Sequence, residues 1–105
     1  MAGIALVGDH APGVCRAGHS DVVKGHNKNM ITTFVTGSES VFINGVACVT
    51  VDSLGDTDCG HHTKATTGAP TVFIGGKPAH IIGSGGVVIE DGGGEYTVQQ
   101  VSDSV

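Results

Sequence analysis

Val41-Phe42-Ile43-Asn44-Gly45 and, 31 residues further on, Val72-Phe73-Ile74-Gly75-Gly76 are two copies of one phrase. Asn44-Gly45 is the strongest short hairpin signal in the chain, because both residues tolerate the positive φ that a two-residue β-turn demands. Ile31-Thr32-Thr33-Phe34-Val35-Thr36 precedes the first copy and Val46-Ala47-Cys48-Val49-Thr50-Val51 follows it, both rich in the β-branched residues that suit a pleated surface. Over positions 36 to 45 and 67 to 76, six residues are identical (Thr, Gly, Val, Phe, Ile and Gly), which makes a repeated unit the economical explanation.

Working outward, Lys77-Pro78-Ala79-His80-Ile81-Ile82-Gly83 occupies the place of Val46 to Asp52. At the front, Ile4-Ala5-Leu6-Val7 reads as a short strand closed by Gly8-Asp9, and Leu6 to Asp9 can be set beside Leu54-Gly55-Asp56 as the tail of a partial third copy. Val87-Val88-Ile89, a glycine turn at 92 to 94 and the alternating Tyr96-Thr97-Val98-Gln99 predict a last hairpin. No segment carries a helical period. The expectation is one all-β domain over 1–105, with a long irregular loop at 10–29 and a C-terminal strand and tail at 95–105 that frays from Ser102.

The composition asks for a staple. Only four aromatic residues stand among 105, with 18 glycines, so the core must be small. Three cysteines, Cys15, Cys48 and Cys59, cannot all pair within one chain and lack the dense even spacing of disulfide scaffolds. Six histidines favour a metal instead. Asp56-Thr57-Asp58-Cys59-Gly60-His61-His62 packs a thiol and two imidazoles into four residues, and Cys59 and His61, two apart, face one way if the backbone is extended. His10, Cys15, His19 and His26 lie in the 10–29 loop, which a metal would tie down. The plainer readings are a solvated His10 and His62, a surface thiol at Cys15, a small core hydrophobe at Cys48 and a packing or polar-surface role for His80.

A net charge of −5, with no concentrated basic face, argues against nucleic acid. The N-terminus lacks the features of a signal peptide, and no stretch is long enough to cross a bilayer as a helix, so synthesis in the cytoplasm without a signal peptide is expected. A small metal-dependent hydrolase using the His/Cys cluster is the rival from another class. Against it, neither His-Glu-x-x-His nor Pro-Cys-x-x-Cys occurs, and Glu39, Glu90 and Glu95 are all remote in sequence from the cluster.

The phrase Gly-Ser/Ala-x-x-Val-Phe-Ile-x-Gly (37 to 45, 68 to 76), the Lys77-Pro78-Ala79 after its second copy, and the Gly8-Asp9 and Gly55-Asp56 turns before His/Cys loops resemble the PAAR-repeat proteins over roughly residues 1 to 90. Those proteins cap the spike of contractile phage tails and type VI secretion systems. The resemblance implies a small cone of repeated β-hairpins with a metal site near its apex, its base seated on a trimeric β-helical spike as one copy per trimer. It implies a non-enzymatic structural protein at a virion tail tip or secretion-system spike, monomeric alone, contacting the target membrane transiently. The implied ligands are His19, Cys59 and His61, holding structural zinc or, with the same ligand types, iron; because the third-loop ligand is missing, His26 of the long first loop is taken as the fourth, with His62 and His10 as second choices. The chain departs from the family in its degenerate Pro78-Ala79-His80-Ile81 and in lacking a Gly-Asp turn with its ligand downstream of Gly83.

Overall fold

The computed structural model describes residues 3–102; Met1, Ala2 and the end from Asp103 lie outside it, and with them most of the tail expected to fray. Ten strands follow in order: β1 (His10–Cys15), β2 (Lys28–Phe34), β3 (Phe42–Ile43), β4 (Val46–Ala47), β5 (Leu54–Thr57), β6 (His62–Ala65), β7 (Phe73–Ile74), β8 (Lys77–Pro78), β9 (Gly85–Val88) and β10 (Gly94–Thr97). There is no helix among the described residues. The two copies of the phrase are the hairpins β3–β4 and β7–β8, and their turns carry the positive φ anticipated, with Asn44 at 51° and Gly45 at 81°, Gly75 at 59° and Gly76 at 84°.

The centre of the molecule is a closed barrel that the short repeated phrases do not announce. Six strands, β1, β10, β9, β6, β5 and β2, close into an antiparallel barrel of three hairpins. Alternation sets its inside: Met30, Thr32 and Phe34 point inward while Ile31 and Thr33 face out. His10–Cys15, expected as loop, is a barrel strand paired with β2 on one side and β10 on the other, so only 16–27 is irregular. Leu54–Thr57 is likewise a strand, and Gly55-Asp56 is not a turn. Gly55 is glycine for another reason, because a Cβ there would stand 2.6 Å from Thr32 Oγ1 and 2.7 Å from Thr63 Oγ1 inside the barrel.

The true partners of Leu6–Asp9 are Thr50–Ser53 and Ile81–Ser84. In each turn the fourth amide donates to the first carbonyl (2.9, 3.1 and 2.8 Å). The first amide donates back to a side-chain oxygen at the fourth place: Asp9 Oδ2, Ser53 Oγ or Ser84 Oγ, at 2.9, 3.1 and 3.1 Å. The third residue has positive φ in all three: Gly8, Asp52 and Gly83. Each turn grips the end of a barrel hairpin through the amides of Phe34, Ala65 and Val98. Just before the turns, three amides donate around a ring, Ala5 to His80 (2.8 Å), His80 to Val49 (2.9 Å) and Val49 to Ala5 (2.8 Å). The bridges Leu6–Cys48, Thr50–Ala79 and Ile81–Ile4 repeat the same cyclic order. The chain therefore has an internal three-fold arrangement of three turn-plus-hairpin units, where the sequence suggested one partial and two fuller copies. The hairpins β3–β4 and β7–β8 decorate two of the three units.

Two apolar clusters fill the body, which measures 40 × 21 × 20 Å. Phe34, Met30, Val88, Val49, Tyr96 and Val98 form the barrel core, and Ile4, Leu6, Cys48, Ile74 and Ala79 form a second cluster under the short hairpins. His80 is fully buried between Phe34 and Tyr96, which decides between the packing and polar-surface roles in favour of packing. Its Nδ1–H donates to the Thr67 carbonyl at 2.8 Å, which leaves Nε2 to accept from the Tyr96 hydroxyl at 2.8 Å. Burial holds its pKa below the ordinary histidine value and pushes the Tyr96 phenol up.

Candidate metal centre

Strand direction places the cluster. β1 ends at Cys15, beside the start of β10 and of β2, while β5 leads to the 58–61 turn at the same end of the barrel. The turns and short hairpins occupy the opposite end. At the first end Cys15, His19, Cys59 and His61 come together, with one ligand atom from each lying within 4.8 Å of all the others. Cys15 is buried and the other three are half-buried. Cys15 and Cys59 are equivalent positions, each six residues past the last residue of its turn; the third such position holds Glu90.

The local chain is shaped to present these atoms. Thr57 is the last residue of β5, and its hydroxyl accepts from the His61 amide at 2.8 Å and lies 3.0 Å from the His61 carbonyl and 3.2 Å from Cys59 Sγ. This clamp, with Gly60 at positive φ, closes a tight turn that sends Cys59 and His61 the same way. The 16–27 loop is folded back on itself by bonds from the Gly25 amide to the Arg16 carbonyl (2.9 Å) and from the His19 amide to the Val22 carbonyl (2.8 Å). Ion pairs fasten its outside: Arg16 with Glu95, Lys24 with Asp91, and Lys28 with Asp21. His19 is thereby turned inward, its ring edge-on to that of His61 with centroids 4.9 Å apart.

Two observations fit a metal at this place. His61 Nδ1 lies 3.5 Å from Cys15 Sγ and 3.7 Å from Cys59 Sγ. Two ligands on one tetrahedral ion, with metal–sulfur and metal–nitrogen bonds of about 2.3 and 2.0 Å, stand about 3.5 Å apart. Independently, both ring nitrogens of His19 are buried with no hydrogen-bond partner among the described residues. A buried imidazole left unpaired costs about 1–3 kcal/mol, which a ligand bond would remove. Burial also raises the pKa of Cys15, a cost to the thiolate that a bound cation would reverse.

Three of the four expected ligands, His19, Cys59 and His61, are therefore assembled, and Cys15 stands where His26 was expected. His26 is exposed on the outer side of the folded loop, its amide donating to the Val23 carbonyl at 3.0 Å. His62 points the other way from His61, as alternation along β6 requires, and its Nδ1 meets Glu90 Oε2 at 2.5 Å while its amide donates to Oε1 at 2.9 Å. That carboxylate, with Asp56 beyond it, raises the pKa of His62. His10 faces out from the barrel with Nδ1 2.7 Å from Thr33 Oγ1. The sequence does carry a signal for Cys15: Cys15-x-x-x-His19 and Cys59-x-His61 are two Cys-then-His pairs.

No protein-family model matches the chain, and no curated protein matches it.

Proposed function

We propose that the chain is a structural tip protein that caps the trimeric β-helical spike of a contractile injection machine, in a phage tail or a type VI secretion system. One observation carries the reading: a single chain whose turn-bearing end is built as a ring of three equivalent units. A monomer with three-fold backbone order can sit on the axis of a trimer and offer each subunit the same contacts. The apolar residues at that end suit the role, since Phe42 and Phe73 hold equivalent places on β3 and β7 and are 53% and 58% exposed. The Cys/His cluster lies at the other end, where a piercing point has no room for a large core.

On this reading the metal is structural. Cys15, His19, Cys59 and His61 supply four protein ligands, the closed set typical of structural zinc, and iron is the competing occupant. When bound, the ion joins the first and second barrel hairpins at the apex and supplies no chemistry to a substrate. The protein is made in the cytoplasm, is monomeric alone, acts at the spike tip and touches the target membrane only in passage.

The test is native mass spectrometry of the purified chain mixed with a trimeric β-helical spike protein from the same organism. One chain per trimer is the expected stoichiometry, abolished by Phe42→Asp with Phe73→Asp. A stable homotrimer of the chain alone, or no complex at micromolar concentrations, would overturn the assignment.

A further inference from the structure

The apex holds two cysteines in equivalent positions on adjacent hairpins, and their sulfur atoms lie within 4.8 Å of each other. Cys48 belongs to the other apolar cluster, at the opposite end of the barrel. Glu90, at the third equivalent position, has no sulfur to offer. We propose that Cys15 and Cys59 form an intrachain disulfide when the metal is absent and a low-molecular-weight disulfide is present, so that one pair of side chains serves either of two staples for the apex. The proposal rests on the metal reading only in that a bound ion competes for the same two thiolates.

The approach is short. A disulfide bond is about 2.0 Å long, so each sulfur must move by about 1.4 Å or less, within reach of side-chain rotation and small shifts of the 58–61 turn. Burial fixes the order of events. Cys59 is half-buried and Cys15 fully buried, so the Cys59 thiolate attacks first. It takes one sulfur of the small disulfide and expels the other half as a thiolate. Cys15, after losing its proton, then attacks Cys59 Sγ of the mixed disulfide, forming the Cys15–Cys59 bond and expelling the second half. Two cysteine thiols are oxidised, one small disulfide is reduced to two thiols, and the two cysteine protons end on them. In a reducing compartment the thiolates remain available to a metal. In an oxidising one, loss of the ion leaves a covalent link between the same two hairpins.

The experiment treats metal-stripped and zinc-loaded protein with oxidised glutathione and follows intact mass, peptide maps and released zinc. The expected product of the stripped protein is an intrachain species lighter by two hydrogen atoms, with Cys15 and Cys59 in one crosslinked peptide pair, unchanged in Cys48→Ser. Cys15→Ser should stop at a glutathione adduct on Cys59, whereas Cys59→Ser should leave Cys15 unmodified in the folded chain. Zinc-loaded protein should react at least tenfold more slowly and release one zinc per disulfide. That arm keeps the test decisive if the stripped chain unfolds, because crosslink and zinc release must then share one time course. Crosslinks to Cys48, chain-to-chain dimers, or zinc release without the Cys15–Cys59 link would overturn the proposal. A crosslink in a protein that binds no zinc would sink the metal reading and leave this one standing.

Discussion

The two ends of the barrel are made from the same repeating unit, yet they are held by different forces. At the turn-bearing end the backbone carries most of the order: a ring of three amide bonds through Ala5, His80 and Val49, with each turn closed by one backbone bond and by one bond to a side-chain oxygen that either Asp or Ser can supply. Ile4, Leu6, Ile74 and Ala79 pack beneath it. At the apex the three units have diverged into a twelve-residue loop, a tight turn and a glycine turn, and side chains join them: the Cys/His cluster links the first two units, and Arg16 with Glu95, Lys24 with Asp91 and His62 with Glu90 tie in the third. Backbone geometry can repeat while sequence drifts. A side-chain site needs particular residues, so it appears in two units and lapses in the third, where Glu90 instead fastens His62.

The largest effect that separates the ends is loss of the metal. Stripping it with chelator, or Cys59→Ser, should cost on the order of 10 kcal/mol of apparent stability. Guanidinium unfolding measures this, and amide exchange should rise at the apex before it rises at Ala5, Val49 and His80. Equal unfolding midpoints with and without chelator would erase the contrast. Next comes the shared core: Phe34→Ala, at a side chain 1% exposed, should cost about 3–5 kcal/mol with metal stoichiometry unchanged.

The buried hydroxyl pair Thr32 and Thr63, 2.6 Å apart, gives a smaller effect. Thr32→Val should cost about 1–3 kcal/mol by stranding its partner, and the double change with Thr63→Val should recover part of the loss in a double-mutant cycle. His80 supplies a pH dependence at the turn-bearing end. Its folded pKa lies below the unfolded value of about 6.5, so in acid the unfolded chain binds more protons than the native one. Stability from neutral His80 is therefore full above about pH 6.5 and is lost as pH falls through the depressed folded value. The difference in unfolding free energy between wild type and His80→Gln should narrow as the pH falls from about 7.5 to about 5. Smallest is His26→Ala, for which elemental analysis should find metal content unchanged; a vacated site there would restore His26 in place of Cys15.

Much of the fold was legible because local chemistry sufficed to write it. Asn44-Gly45 encodes a turn without help from the rest of the chain, and the copy at 75–76 follows from the repeat. Cys59 and His61 were legible for a related reason, since two ligand-type residues two apart can be read in one dimension, whereas His19 was singled out by the resemblance of its loop. Cys15 carried only the looser Cys15-x-x-x-His19 pairing, inside a segment that does not read as a strand. His10–Cys15 contains Pro12 and Gly13 and has little strand propensity of its own. It is a strand because β2 and β10 flank it, and Gly13 lets β10 approach to where a Cβ would stand 2.2 Å from the Glu95 carbonyl oxygen.

Patterns a few residues long determined the all-β character, the two short hairpins, the last hairpin and the Cys59/His61 pair, and the resemblance of its loop added His19. Tertiary structure decided the closed barrel, the three-fold ring and the exchange of Cys15 for His26. Barrel closure pairs β1 with β10, strands some eighty residues apart, and no local preference encodes which distant strand completes a sheet. Once that pairing exists, the inward face of β1 is fixed by alternation. Its last inward residue, Cys15, is then carried to the apex beside Cys59 and His61, while His26 is left on the outer side of the loop.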